Sequence, residues 1–404
     1  MPNSDSYLKP PPADLHRVAW GSEDFIASTD ASIALKGTRK AGPPAANTDD
    51  RALAGTVADA IVGLGFRTWD FGDSVAFGAL VAASDALGNE RWVRFAHGYG
   101  RAWATRARPF ARLDCTVPGR ALVEIAERFS DLALLDVLRD LADSLRARST
   151  IGGVYATWER SPLLAPYSGV ELNDYESRLL SDPPAGVFVD CLHFDPPFFS
   201  ALGVTLGEEQ YFEDGIKQAL GYVSLLQKED GLFDHFVLRD VDGSFGPGWG
   251  RGQGWAILGL LEVIGYIDRF DSARFGEARQ SLADSARAAI DAMVSLQRDD
   301  GHWFAVVSDP ESGDEYSTAA FMACAFDQAM DLGVVSGADV VDAQSRARQA
   351  VAASLDENGH LREVSAAVYA STEPSHYGYV PRGYVVPWGQ GPALLALISK
   401  GRPW

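Results

Sequence analysis

Two aspartates, Asp114 and Asp190, stand in matching settings, each ahead of a helix and each followed directly by a cysteine. Further along, Trp249-Gly-Arg251-Gly-Gln-Gly-Trp255 offers a guanidinium and two indoles. Paired carboxylates at neighbouring helix mouths suit acid/base work. The indoles could stack on pyranose faces, and Arg251 could hold a carboxylate in bidentate fashion. Together these residues point to chemistry on a sugar. Asp190 is the stronger catalytic candidate. Val187, Phe188, Val189 and Leu192 would shield it from water, the setting a general acid needs. Asp195 can serve as the helix cap in its place, with Pro196 opening the helix. Asp114 precedes Thr116 as a cap, Pro118 in the first turn, and a buried stripe of Leu122, Ile125 and Phe129. Aspartates ahead of helices also simply complement the helix dipole, so spacing alone leaves both readings open.

Other residues add less. His235 follows a turn, where histidines more often satisfy backbone groups than bind ligands. His193, three residues after Asp190, fits either a core position or a substrate contact. Gly250, Gly252 and Gly254 let a backbone pass close to a ligand, or let helices pack tightly. The run is not a dinucleotide fingerprint, because Trp255 stands where a third glycine belongs, and no Walker loop is present. No His or Cys cluster has metal-ligand spacing, so no metal is expected. Cys115 and Cys191 lack an adjacent activating base and read as small buried packers.

Helices must hold these residues. From about Ala52 apolar residues recur at three- and four-residue spacing, as over 75–87 and 132–145, and a helix is expected over 256–267. Strand-type alternation is confined to short pieces such as 232–238. Leu226-Gln227-Lys-Glu-Asp-Gly231 and Leu296-Gln297-Arg-Asp-Asp-Gly301 repeat a helix ending and turn 70 residues apart. A weaker copy follows at Asp356-Glu-Asn-Gly359. Each glycine suits the left-handed residue that closes a helix. Helical hairpins cannot bury their apolar faces alone, so they stack, and a toroid of inner and outer helices results. The expected architecture is all-α, one domain over 51–404 behind an N-terminal extension of 1–50.

Composition bounds the partners. With 404 residues, 47% of them hydrophobic, the chain can bury a large core. A net charge of −20 argues against nucleic acid and gives no help in drawing in an anionic sugar. No apolar run could span a bilayer, and the first residues lack the pattern of a secretion signal. Three cysteines, an odd number, fit a reducing cytoplasm better than a disulfide framework. Oligomeric state leaves no mark in the sequence.

Taken together, the segments resemble glycoside hydrolase family 105, the unsaturated rhamnogalacturonyl hydrolases, and more distantly family 88, the unsaturated glucuronyl hydrolases. The matching stretches are Leu113-Asp114, Gly119-Arg120-Ala-Leu, Val189-Asp190-Cys-Leu, and Asp230-Gly231-Leu-Phe-Asp-His235. Trp249-Gly-Arg251-Gly-Gln-Gly-Trp255, Asp300-Gly301-His-Trp303 and Gly389-Gln-Gly-Pro-Ala-Leu-Leu-Ala complete the set. The resemblance implies an (α/α)6 toroid with no metal or organic cofactor. It implies Asp190 as general acid/base, Asp114 as the assisting carboxylate, and His235, Trp249, Arg251 and Trp255 as substrate contacts. The implied substrate is a small acidic oligosaccharide left by a polysaccharide lyase, whose terminal uronate carries a C4=C5 double bond. Such families commonly place basic or imidazole residues a turn upstream of the aspartate. Here only Arg178 is basic in that stretch, and Cys191 and His193 replace more usual residues. Two other enzymes fit the same toroid. A sugar isomerase or 2-epimerase needs histidines paired across the ring, and an ordinary inverting glycosidase needs two carboxylates about 6.5–9.5 Å apart.

Overall fold

The computed structural model describes residues 42–43, 49–66, 69–110, 116–271 and 273–398. Asp114, Cys115 and nearly all of the extension expected over 1–50 lie outside the described residues. The helices run α1 (Asp50–Val62), α2 (Asp73–Leu87), α3 (Arg91–Ala104), α4 (Gly119–Arg128), α5 (Leu132–Arg146) and α6 (Asp174–Ser181). They continue as α7 (Cys191–Leu206), α8 (Glu209–Leu226), α9 (Gly250–Phe270), α10 (Gly276–Ser295), α11 (Ser317–Asp331), α12 (Ala338–Ser354) and α13 (Pro387–Ile398). Helices α2, α4, α7, α9, α11 and α13 form an inner ring in which each packs on the next and α13 packs back on α2. The alternate helices α1, α3, α5, α8, α10 and α12 lie outside them, giving the expected (α/α)6 toroid. Short α6 stands apart, in the long connection between α5 and α7.

Sequence explains the two rings. Inner helices are covered on both sides, so α7 and α11 bury almost every residue of their first turns and carry no polar face. Outer helices are amphipathic: α3 buries Trp92, Val93, Ala96, Gly100 and Trp103 at three- and four-residue spacing. The helices expected over 75–87 and 132–145 are α2 and α5. Helix starts differ from expectation. Helix α4 begins at Gly119 with Pro118 at the cap, so Thr116 does not cap it. Helix α7 begins at Cys191, which puts Asp190 itself at the cap and Asp195, Pro196 and Pro197 inside. Pro196 cannot bond the carbonyl of Leu192; that carbonyl packs instead where Gly259 of α9 lacks a Cβ. Asp195 pairs with Arg148 at 2.5 Å. Helix α9 begins at Gly250, well before the expected 256, because its glycines meet neighbours that leave no room for a side chain. Gly250 faces Thr318, Gly252 faces Trp249 and Val189, and Gly254 faces Phe321. At all three positions a Cβ would be crowded by neighbouring side chains, which fits close packing.

The repeated turn binds the outer ring together. Gly231, Gly301 and Gly359 take φ of +87°, +83° and +74°, but each sits in the turn beyond the helix and not at its cap. A Cβ on Gly231 would stand 2.5 Å from the Ala288 carbonyl of α10. On Gly301 it would stand 2.5 Å from the Arg346 carbonyl of α12. On Gly359 it would meet Val57 N of α1 at 2.8 Å, so the third copy docks the last outer helix onto the first. Gln227 and Gln297 clamp the first two copies, bonding Ser285 O and Ala343 O of the next outer helix at 2.9 Å each. The ends of the ring meet at Arg348, whose Nη2 bonds both Asp50 Oδ2 (2.7 Å) and Leu397 O (3.1 Å).

Strands are short antiparallel pairs: β1 (Thr150–Ile151) with β2 (Val154–Tyr155), β3 (Gly186–Phe188) with β4 (Phe236–Leu238), and β5 (Phe304–Val306) with β6 (Asp309–Asp314). Of the strand expected over 232–238, only the last three residues form one. Among the described residues, no helix is long and apolar enough to cross a membrane.

Candidate active site

One mouth of the toroid holds a cavity lined mainly by aromatic side chains. Its polar groups are few: Asp190, His235, Arg251 and Tyr369 among Phe71, Trp158, Phe188, Trp249, Trp255 and Trp388, with Pro162, Ala367 and Val368 completing the lining. The pairing of β3 with β4 (Phe188 opposite Phe236) continues into a bond from Val189 N to His235 O, 2.8 Å. That ladder sets the two side chains together. Asp190 Oδ2 lies 3.3 Å from His235 Nε2, and His235 Nδ1 lies 2.6 Å from Tyr377 Oη. Asp190 occupies a helix cap yet its side chain makes no cap bond, which leaves the carboxylate facing the cavity. Trp249 tilts against the His235 ring with centroids 4.5 Å apart.

Arg251 lies between the rings of Trp249 (5.0 Å) and Trp388 (5.9 Å). Its Nη1 bonds Glu315 Oε1 at 2.9 Å and Ser365 Oγ at 2.7 Å, and Nη2 bonds the Ala366 carbonyl at 3.3 Å. Burial lowers the guanidinium pKa, while Glu315 and Asp190 oppose that shift. Glu315 therefore already holds one arm of the fork through Nη1. Gln253 also serves structure: its amide bonds Phe233 N and Phe233 O at 2.8 Å each. Gln390, in the second Gly-Gln-Gly, does the same for Leu361 N (2.8 Å) and Gly359 O (2.6 Å).

His193 does not line this cavity. Its Nδ1 is 3.0 Å from Ser74 Oγ, its Nε2 is 3.6 Å from Glu262, and its ring backs Trp255. It faces a second, polar cavity further along the axis, where Arg120 lies between Glu124 (2.8 Å) and Glu262 (3.0 Å). Asp114 lies outside the described residues, so Asp190 is the sole carboxylate among the described residues that line the first cavity. Among the described residues, no group of three or more His, Cys, Asp and Glu could hold a metal ion.

Sequence reasoning missed Trp158, Glu315, Tyr377 and Trp388. Only Trp388 left a signal, since Trp388-Gly-Gln-Gly echoes the Gly-Gln-Gly that follows Trp249. The other three reach the site from long connections whose course no periodicity reveals. The cavity also gathers helix N-termini: Asp190 and Trp249 occupy the N-cap positions of α7 and α9, and Phe71 and Trp388 flank the starts of α2 and α13. Those ends carry partial positive charge, a local field opposite in sign to that of the whole chain.

A helical toroid whose mouth sets a carboxylate and an imidazole among aromatic rings suits acid/base chemistry on a sugar. A profile of Glycosyl Hydrolase Family 88 matches residues 63–402, and the chain belongs to that family of glycoside hydrolases. It is 24% identical to the unsaturated rhamnogalacturonyl hydrolase YesR of Bacillus subtilis (strain 168), over 85% of this chain and 94% of that protein. Its fold is similar to that of a possible member of the GH105 family from Salmonella enterica serovar Paratyphi A. That match has TM-score 0.73 and 19% identity, over 87% and 93% of the two chains. It is also similar to the unsaturated glucuronyl hydrolase of Bacillus sp. GL1, with TM-score 0.64 and 17% identity over 88% and 96%.

Proposed function

We propose that this enzyme releases a 4,5-unsaturated uronic acid from small acidic oligosaccharides by hydrating the C4=C5 vinyl ether, with Asp190 as the general acid and base. The observation that carries the reading is the uncapped Asp190 carboxylate, 3.3 Å from His235 Nε2 in an aromatic cavity. Asp190 gives its proton to C4, and oxocarbenium character builds at C5. The resulting carboxylate then takes a proton from the water that adds at C5. The hemiketal so formed opens and expels the neighbouring sugar. One group serves both halves, so a second carboxylate assists without being obligatory. Asp114 is the candidate for that assistance. Trp249 and the surrounding rings would shape and stack on the sugar, and Arg251, fixed by Glu315, would act as an oriented charge with hydrogen-bonding edges. Trp255 would wall the sugar, and His193 would support Trp255 from behind. Among the described residues the lining holds one histidine, whereas an epimerase would need two, and this favours the hydrolase. The odd number of cysteines suits a reducing cytoplasm as the place of action.

The test is a panel of unsaturated disaccharides, rhamnogalacturonan- and glucuronate-derived, followed by ultraviolet absorbance of the double bond. Loss of absorbance with release of the neighbouring sugar is expected for at least one member and names that sugar. No loss on any member would return the site to an ordinary glycosidase reading.

A further inference from the structure

Tyr377 belongs to a 3-10 turn, Pro374–Tyr379, in the segment that roofs the cavity, and is buried. Its hydroxyl reaches His235 Nδ1 at 2.6 Å, the sole hydrogen bond of that hydroxyl among the described residues. Gly246 makes the approach feasible. A Cβ there would collide with the Tyr377 hydroxyl and stand 2.7 Å from His235 Cβ. The other ring nitrogen of His235 faces Asp190 Oδ2 at 3.3 Å. The three groups thus form one line: phenol, imidazole, carboxylate.

A neutral imidazole carries one ring proton, and what bonds one nitrogen decides which nitrogen holds it. If Nδ1 held the proton, it would donate to the phenol oxygen and leave a buried phenolic hydrogen without an acceptor. If Nε2 holds it, the phenol donates to Nδ1 and the buried phenolic proton is satisfied, while Nε2–H lies on the side of the ring nearest Asp190, 3.3 Å away. Burial, with Asp190 and Asp234 nearby, raises the Tyr377 pKa well above its ordinary value, so the group remains a hydroxyl and a donor.

We propose that Tyr377 is a positioning residue that fixes His235 in its Nε2–H tautomer, so that this N–H stabilises the Asp190 carboxylate left after proton transfer to C4. The proposal rests on the role assigned above to Asp190. Tyr377 touches no reacting atom; it acts through the ring it orients. The effect belongs to the transition state, where the carboxylate forms, and so to kcat more than KM.

Tyr377→Phe keeps the ring and removes the proton. It should lower kcat about 10- to 100-fold, by analogy with the loss of a hydrogen-bond partner from a metal-bound imidazole, with KM within about twofold. Nitrogen-15 NMR of histidine-labelled protein, without substrate, should show His235 as Nε2–H in the wild type and should lose that signature in Tyr377→Phe. His235→Gln identifies the resonance. An unchanged kcat, a loss through KM alone, or a wild-type His235 protonated at Nδ1 would overturn the proposal. If no unsaturated disaccharide is turned over but the tautomer is as stated, the proposed reaction fails while the Tyr377–His235 arrangement stands. If the variant does not fold, the wild-type spectrum decides.

Discussion

Asp190 stands at a helix cap without acting as one, and among the described residues the one polar contact recorded for its side chain, to His235, is long. Removing its acidity should therefore cost catalysis and little else. Asp190→Asn is expected to lower kcat about 10²- to 10⁴-fold with an unchanged thermal melt, read by the absorbance assay and by calorimetry. A variant that kept most of its activity would remove Asp190 from the mechanism. Asp190, Trp249, Arg251 and Trp255 were legible as cavity residues because each sits in a short motif with recognisable chemistry, whereas His235 was legible only through the family resemblance. Tyr377 was not, since its meaning depends on a contact 142 residues away in sequence. Arg251 was legible as a residue but not as a geometry. The partner that takes one arm of its fork, Glu315, lies 64 residues downstream.

At the scale of elements, the repeat turns and the roof carry separate tests. Gly88 closes α2 at φ +65° in open space, whereas Gly231, at φ +87°, abuts the backbone of α10. Both Gly→Ala changes incur the left-handed penalty of about 1 kcal/mol, but only Gly231→Ala also forces backbone apart. Urea unfolding should show Gly231→Ala as the clearly larger loss. In the roof, His376 donates from Nε2 to Val368 O (2.8 Å) and accepts at Nδ1 from Tyr167 N (3.2 Å). Burial lowers its pKa to about 4. Folding thus favours the neutral ring. That stability is fully present above the unfolded value of about 6.5 and is lost as pH falls from there through about 4, up to roughly 3 kcal/mol in all. His376→Gln keeps one donor and one acceptor without titrating. Its urea midpoint should fall less than the wild type's between those pH values. Helix existence was readable from spacing, but helix starts were not. Prolines inside α7 and glycines inside α9 look like breakers until the packed neighbours that accommodate them are known.

For the whole molecule, a net charge of −20 faces an anionic substrate. The repulsion acts at long range, while the helix N-termini around the cavity act at contact. Salt separates the two, since the Debye length shrinks from about 30 Å at ~0.01 M to about 8 Å at ~0.15 M. Over that interval kcat/KM for a charged unsaturated disaccharide should rise, and for its methyl ester should stay flat. A fall would mean that the local field of the mouth already dominates at a distance.

Arg348 holds the start of α1 and the end of α13 at a single nitrogen, and the third turn glycine seats α12 on α1. The toroid consequently has no obligatory first hairpin. A circular permutant that joins 398 to 50 through a short linker and opens the exposed turn at Gly88 would keep every helix pair and the cavity with them. Its turnover should survive, because what the ring needs is the order of neighbours around a circle, not the place where the chain is cut.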